Sequence, residues 1–479
     1  MQTEAPPSPA AADPGPFERA YHDFRGQHPG YATTSALDEL RAAEFGRLDH
    51  SGHVYLDYTG SGLYAASQVA RHSQRLLAGV FGNPHSSNPA SSASTELLET
   101  SRRRVLDFFR ADPEEYALIF TANASQALKL VGESYPFEPG DQFLLTFDNH
   151  NSVNGIREFD RACGARTLYV PMVPPELRVD ETVLRRFLDG AASGRHNLFA
   201  FPAQSNFSGV QHPLSWVGLA RERGWDVLLD AAAFAPTNRL DLSRVHPDFV
   251  ALSFYKMFGY PTGVGALIAR HAALAKLSRP WFAGGTINVA SVQADRFILA
   301  SGAAAFEDGT PDFANIPAVA DGLDLLDRVG VETIHERVVA LCAWLIQQML
   351  GLRHGSGEPL VRLYGPSTTE ARGATLTFNF YDGQGRAIDH LLVERGAGQR
   401  GISLRTGCFC NPGAGELALG LSRDELEHCF ADGTRMTYED LRSCIDPHEA
   451  GAVRVSLGPV SNFADVWTFV EYARTFVTR

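Results

Sequence analysis

The chain has no run approaching the ~18 consecutive apolar residues that a bilayer-spanning helix needs, so none of it reads as a membrane span. Its opening stretch, MQTEAPPSPAAADPGPF, has no basic region followed by an apolar one. That excludes a secretory signal and leaves residues 1–16 as a Pro/Ala-rich leader, expected to be disordered or extended. A basic excess is missing too: 42 Lys and Arg stand against 55 Asp and Glu, a net charge of −13. No nucleic acid and no anionic membrane is therefore expected as a partner, although a local basic pocket is compatible with that balance. The six cysteines (Cys163, Cys342, Cys408, Cys410, Cys429 and Cys444) are too few for a disulfide scaffold and point to a reducing, cytoplasmic setting. Internal repeats are absent. What is present, 44% hydrophobic and 20% charged residues over 479 positions, is the make-up of a soluble globular protein with room for two domains.

The most informative stretch is 225–265, WDVLLDAAAFAPTNRLDLSRVHPDFVALSFYKMFGYPTGVG. Two apolar runs of buried-strand character, Trp225–Leu229 and Phe249–Phe254, stop at Asp230 and at Lys256. In open α/β sheets ligands bind where strands end. A lysine beside a flexible glycine turn can form a Schiff base, and an aspartate can keep a pyridinium nitrogen protonated, the pairing that pyridoxal phosphate (PLP) requires. Taken alone, the same residues also fit an aspartate that caps a helix and a solvated lysine.

Similar strand-end patterns recur upstream. VYLDYTGSGLY (54–64) is a short strand entering a glycine turn. FGNPHSSNPASSAS (81–94) is a long loop leading into a helix over Ser94–Arg110. YALIF is followed by the small-residue turn TANAS and a helix, so Ala124 and Ser125 lie where free backbone N–H groups meet an anion or where a serine merely caps. FLLTF runs into Asp148, Asn149 and His150, a histidine placed to stack on an aromatic group, to shuttle protons, or simply to be held by hydrogen bonds. Another strand near 197 precedes Asn206. Strands near 54, 116, 142, 167, 197, 225, 249 and 264 alternate with helices, which predicts an α/β fold with a large, mostly parallel sheet over 17–325. A smaller α+β domain is expected over 326–479, and the helical 17–50 segment is free to pack against it.

The loop GISLRTGCFCNPGAGE (401–416) carries Arg405 and the pair Cys408/Cys410. As half of a zinc site it lacks a second Cys or His pair at suitable spacing, so no metal is expected, and Cys429 and Cys444 show no partner pattern. A buried structural pair is one reading. A nucleophilic thiol near Arg405 on a mobile loop is the other.

Together these segments resemble the class V, fold-type I PLP enzymes, and among them the cysteine desulfurases. FGNPHS, DNHNSV, DAAAF, SFYKMFGYPTGVGAL and RTGCFCNPGA are similar to the N-terminal desulfurase domain of the molybdenum-cofactor sulfurases. The resemblance covers about residues 50–475 and implies a PLP-dependent transferase fold. It implies Lys256 as the cofactor-bearing lysine and Asp230 as partner of the ring nitrogen. His150 is expected against the ring, with Asn206 near its oxygen and Tyr255 in the position before the lysine. Ala124, Ser125 and Ser253 are expected at the phosphate, and Thr286, in GGT, at the phosphate of a second subunit in a homodimer. Arg454, with Arg405, is expected on the carboxylate of the substrate L-cysteine, and Asn206 is expected to contact the substrate as well. Cys410, the last cysteine of RTGCFC, is expected to carry a persulfide for an unidentified sulfur acceptor, a protein or a cofactor. Ala233 and Gly415 replace the Gln and Cys found in many relatives. With the sequence running to Arg479, the expectation is a desulfurase that resembles the two-domain sulfurases without their C-terminal domain. The alternative expectation is another class V reaction, by an aminotransferase, C–S lyase or epimerase, with Cys410 structural.

Overall fold

The computed structural model describes residues 15–431, 435–445 and 450–478; the leader expected over 1–16 lies, up to residue 14, outside them. The centre is a sheet of seven strands: β1 (Tyr116–Thr121), β2 (Gln142–Thr146), β3 (Arg166–Val170), β4 (Asn197–Pro202), β5 (Asp226–Asp230), β6 (Phe249–Ser253) and β7 (Gly265–Arg270). Their spatial order is β1-β7-β6-β5-β4-β2-β3, and β7 alone runs antiparallel to its neighbours. Every residue of β4 and β6 is buried, as continuous apolar runs covered on both faces must be. The six parallel strands end at one edge of the sheet. Thr121, Thr146, Pro202, Asp230 and Ser253 therefore gather there, where β7 begins at Gly265. A Cβ at Gly265 would stand 2.6 Å from the Asn123 backbone, so only glycine lets β7 pass the turn after β1.

Two expected strands differ. Val54–Tyr55 does not join this sheet; it pairs in parallel with Ile402–Ser403. The strand near 264 joins, but antiparallel. The long helix spans Pro89–Phe108 rather than Ser94–Arg110, because Asn88 caps it by accepting the Ser91 N–H at 3.0 Å.

A second sheet is fully antiparallel, in the order Val361–Tyr364, Thr375–Phe380, Ala452–Ser456, Arg405–Gly407. Helices Val331–Gly351 and Phe463–Arg474 pack with the N-terminal segment, which forms helices Pro16–Gln27 and Ala36–Glu44 with a 3₁₀ turn, Pro29–Thr34, between them. Phe24 lies 4.8 Å from the Phe463 ring, centroid to centroid. The buried Arg41 donates to Asp465 at 2.6 Å, to the Val460 carbonyl at 2.8 Å and to Asp49 at 2.8 Å. Removing a guanidinium from water is costly, and it is offset here because its N–H groups find oxygens. The cysteine count led to no expectation of a disulfide, yet helices Arg423–Phe430 and Tyr438–Cys444 bring the Cα atoms of Cys429 and Cys444 to 5.8 Å and the pair is bonded. Two separate single cysteines on short helices leave no spacing pattern to read.

The hairpin Ile287–Ser291/Arg296–Leu299 projects apolar side chains outward: Val289, Val292 and Ile298 are exposed, as is nearby Trp281. Among the described residues no helix is long and apolar enough to cross a membrane.

Candidate active site

Asp230 closes β5, and Lys256 lies three residues past β6, in the single-turn helix Phe254–Phe258 rather than on the strand itself. That turn is held from outside: the Gly62 N–H donates to the Tyr255 carbonyl at 3.0 Å, and Gly259, at φ 77°, ends the turn with its Cα against the Leu63–Tyr64 backbone. Burial pushes the Lys256 ammonium pKa down, with Arg454 and Arg405 adding to the effect and Asp230 and Asp57 opposing it. The amine is thus more readily neutral, and more nucleophilic, than an ordinary lysine. Among the described residues nothing hydrogen-bonds to it. One Asp230 oxygen accepts the Ala232 N–H at 3.0 Å, which fixes the carboxylate's orientation.

His150 caps the short helix Asn151–Asn154. Its Nδ1 accepts the Ser152 N–H at 3.1 Å, so Nδ1 carries no proton and the neutral ring bears it on Nε2. Burial pushes the imidazole pKa down; Asp230 opposes this, while Lys256 and Arg454 reinforce it. Behind it, buried His212 and Asp148 are joined at 2.9 Å.

These groups surround a cavity of about 160 Å³. Asp230, Ser253, Tyr255 and Lys256 line it together with His150, Asn206, Ala124 and Ser125. A larger cavity, about 220 Å³, lies between the start of helix Ala124–Ser134 and Glu307–Asp312 and contains none of these groups. At the end of the cavity lined by Ala124, Ser125 and Ser253 the donors are partly used among themselves. The Ala124 N–H donates to Ser253 Oγ at 2.9 Å and the Gln126 N–H to Asn123 Oδ1 at 3.0 Å. Ala124 and Ser253 thus serve one another, which leaves the Ser125 N–H, the Ser253 hydroxyl hydrogen and the Ser125–Ser152 hydroxyl pair, 2.6 Å apart, facing the ligand end. Thr286 is elsewhere: it is fully buried and bonded through Oγ1 to the Ala283 backbone at 2.9 Å.

The cysteine loop leaves the second sheet after Gly407 and crosses to the large one. Phe409 and Cys410 both adopt φ 55°, a left-handed conformation that costs a non-glycine residue about 1–2 kcal/mol. Hydrogen bonds enforce it: Asn206 Nδ2 donates to the Phe409 carbonyl at 2.8 Å and the Asn151 N–H to the Cys410 carbonyl at 2.7 Å. Asn411 Nδ2 donates to the Asp148 carbonyl at 2.7 Å and to Asn206 Oδ1 at 2.9 Å. The Arg454 guanidinium lies 4.6 Å over the Phe409 ring. Cys410 is exposed. Burial, then Glu416 and Cys410, push the Cys408 thiol up to about 11. Near pH 8 Cys408 is then roughly 0.1% thiolate. Brief iodoacetamide treatment is expected to alkylate Cys410 well before Cys408; peptide mass mapping that finds Cys408 modified first would contradict this arrangement.

Arg454 donates to the Asn206 carbonyl at 3.0 Å and to Asp57 Oδ1 at 2.9 Å; Arg405 donates to Asp57 Oδ2 at 3.0 Å. Neither arginine lines the cavity directly. Sequence reasoning missed Asp57, along with Ser152, Gln204 and Asn411; the strand-end charge in VYLDYTG was the available signal for Asp57. Among the described residues no group of three or more His, Cys, Asp or Glu side chains is placed to share a metal ion.

The fold and the lysine–aspartate edge define an α/β protein of the fold-type I transferase class. Residues 54–469 match the class V aminotransferase family, and the chain belongs to it. It is 37% identical to the molybdenum cofactor sulfurase of Solanum lycopersicum, over 94% of this chain and 58% of that protein. It is also 37% identical to the human protein of the same name, over 92% of this chain and 51% of that one. The chain thus spans somewhat more than half the length of these relatives. Among solved structures, an apo cysteine desulfurase from Thermococcus onnurineus superimposes with a TM-score of 0.76 at 23% identity, covering 92% of this chain and 98% of that one. A cystine C–S lyase in complex with cysteine persulfide gives 0.68 at 17% identity, covering 91% of this chain and all (100%) of the other. These two likenesses establish the fold.

Proposed function

We propose that the protein is a PLP-dependent cysteine desulfurase that takes sulfur from L-cysteine as a persulfide on Cys410 and releases alanine. The observation that carries this reading is the pinning of the strained Cys410 loop to Asn206, which lines the cavity with Lys256, and to Asn151, which stands between the lining residues His150 and Ser152. A structural cysteine would need neither the strain nor the exposure.

The cavity fits the cofactor by its donor set. Lys256 offers a buried amine for covalent attachment, and Asp230 a fixed carboxylate for the ring nitrogen. His150 offers a neutral ring, Asn206 a polar group for the ring oxygen, and the Ser125, Ser152 and Ser253 hydroxyls suit the phosphate. When bound, PLP supplies an electron sink for the substrate's Cα–H bond. Lys256, once released by the incoming amino group, is the base that takes the Cα proton, a role its lowered pKa suits. His150 Nε2–H is placed to assist proton transfer. The Cys410 sulfur then attacks the substrate sulfur. The new S–S bond forms as the substrate's Cβ–S bond breaks; the carbon fragment takes up the proton given up by the Cys410 thiol at Cβ, recovers the Cα proton from Lys256, and leaves as alanine.

A homodimer belongs to the same reading. The exposed apolar side chains around Trp281 and Val292 need covering, and the adjacent GGT segment with Thr286 is carried along to the neighbouring subunit. The sulfur acceptor is a protein or cofactor that meets Cys410 from solvent, in a cytoplasmic setting.

The test is to load the protein with PLP, add L-cysteine and measure alanine and protein-bound persulfide in the first turnover. Equal amounts of the two are expected. An altered amino acid without persulfide would assign another class V reaction, with Cys410 structural.

A further inference from the structure

Arg405 and Arg454 occupy directly opposed positions on paired strands of the second sheet, where like charges repel. Asp57, from the loop after Val54–Tyr55, bridges them, one carboxylate oxygen to each guanidinium. We propose that Asp57 is an internal stand-in for the substrate's α-carboxylate and sets how tightly the site holds carboxylate-bearing amino acids.

Three observations carry this. The turn is fitted to the bridge: a Cβ at Gly60 would lie 2.5 Å from the Asp57 carboxylate and 2.8 Å from Arg405, so a side chain there would push the bridge apart. The bridge is also incomplete. Arg454 Nε is buried with no hydrogen-bond partner, a donor that a buried arginine does not normally leave unused. Finally, the charge does not close: two cations against one anion leave room for one more carboxylate. Arg405 provides the route to it, since its side chain is 51% exposed while that of Arg454 is 2% exposed. Arg454 is joined to the cavity-lining Asn206 through its carbonyl, and its charge acts on Lys256; under the proposal a carboxylate received here directs its amino group toward that lysine. An incoming carboxylate competes with Asp57 for the guanidinium N–H groups. Amines without a carboxylate have nothing to displace.

The substrate's identity, though not the geometry, rests on the desulfurase reading. Asp57→Asn removes the charge and keeps the shape; Asp57→Ser does so with less bulk. The holoenzymes are compared by calorimetry with 3-mercaptopropionate, which has the carboxylate and thiol but no amine. They are compared kinetically with L-cysteine and with cysteamine, which lacks the carboxylate. Both variants are expected to bind 3-mercaptopropionate about tenfold more tightly, the scale of one hydrogen bond to a charged group. The L-cysteine KM should fall by a similar factor, with kcat changed less than about twofold and cysteamine unaffected. Unchanged or weaker 3-mercaptopropionate binding, or parallel shifts for L-cysteine and cysteamine, would overturn the proposal and make Asp57 a structural bridge. Wild-type protein that forms no persulfide would refute the desulfurase reading, while the calorimetric comparison would still decide the role of Asp57.

Discussion

Lys256→Ala abolishes turnover and, with it, covalent retention of the cofactor. The expected loss in kcat is roughly a thousandfold or more, because in the proposed mechanism one amine provides both the attachment point and the base that takes the Cα proton. The protein should still fold. Lys256 forms no hydrogen bond among the described residues, and its helical turn is held by the backbone contact between Gly62 and Tyr255. Two readouts separate chemistry from stability. Borohydride reduction of the wild-type holoenzyme should fix PLP on the peptide containing Lys256 and on no other. The variant should lose the lysine-bound absorbance while its melting temperature stays within a few degrees. A variant that retains bound chromophore after desalting and turns over L-cysteine would remove Lys256 from the mechanism.

Cys410→Ala separates the two halves of the reaction. PLP binding should survive, since the cavity walls do not include the Cys410 side chain. Persulfide should disappear and alanine production should fall by roughly a thousandfold, the scale found when a nucleophile is removed while binding persists. The loop conformation should also survive, because its hydrogen bonds involve the Phe409 and Cys410 carbonyls and the Asn411 side chain rather than the thiol. Cys408 cannot substitute: it is largely covered, and its thiol is pushed up to about 11. Cys410→Ala protein that forms persulfide at the wild-type rate would return Cys410 to a structural role.

The lysine, the aspartate and the histidine were legible in the sequence because each follows a buried apolar run, and parallel strands must deliver their C-terminal residues to one edge. Asp57 follows a strand of only two residues that pairs with Ile402–Ser403 in the other part of the chain, a long-range pairing that has no local signature. The same applies to Cys429 and Cys444, which meet only because two short helices turn back on each other. Ala124 and Ser253 both line the cavity, but their mutual hydrogen bond depends on β1 and β6 flanking β7, a strand order that periodicity does not reveal. The histidine tautomer was likewise out of reach, since it depends on which ring nitrogen meets the Ser152 N–H.

The strained, tethered cysteine loop has a consequence for sulfur traffic. With its carbonyl held by Asn151, the Cys410 backbone is tethered and its exposed side chain is left to do the moving; under the proposed chemistry the sulfur is exported close to where it was captured. The acceptor must therefore travel to the loop, and the exposed persulfide is open to whatever thiol arrives first. Throughput to the intended acceptor is then a race against scavenging by small thiols, won by local concentration. A docked or tethered acceptor has the advantage in that race without any change to the chemistry.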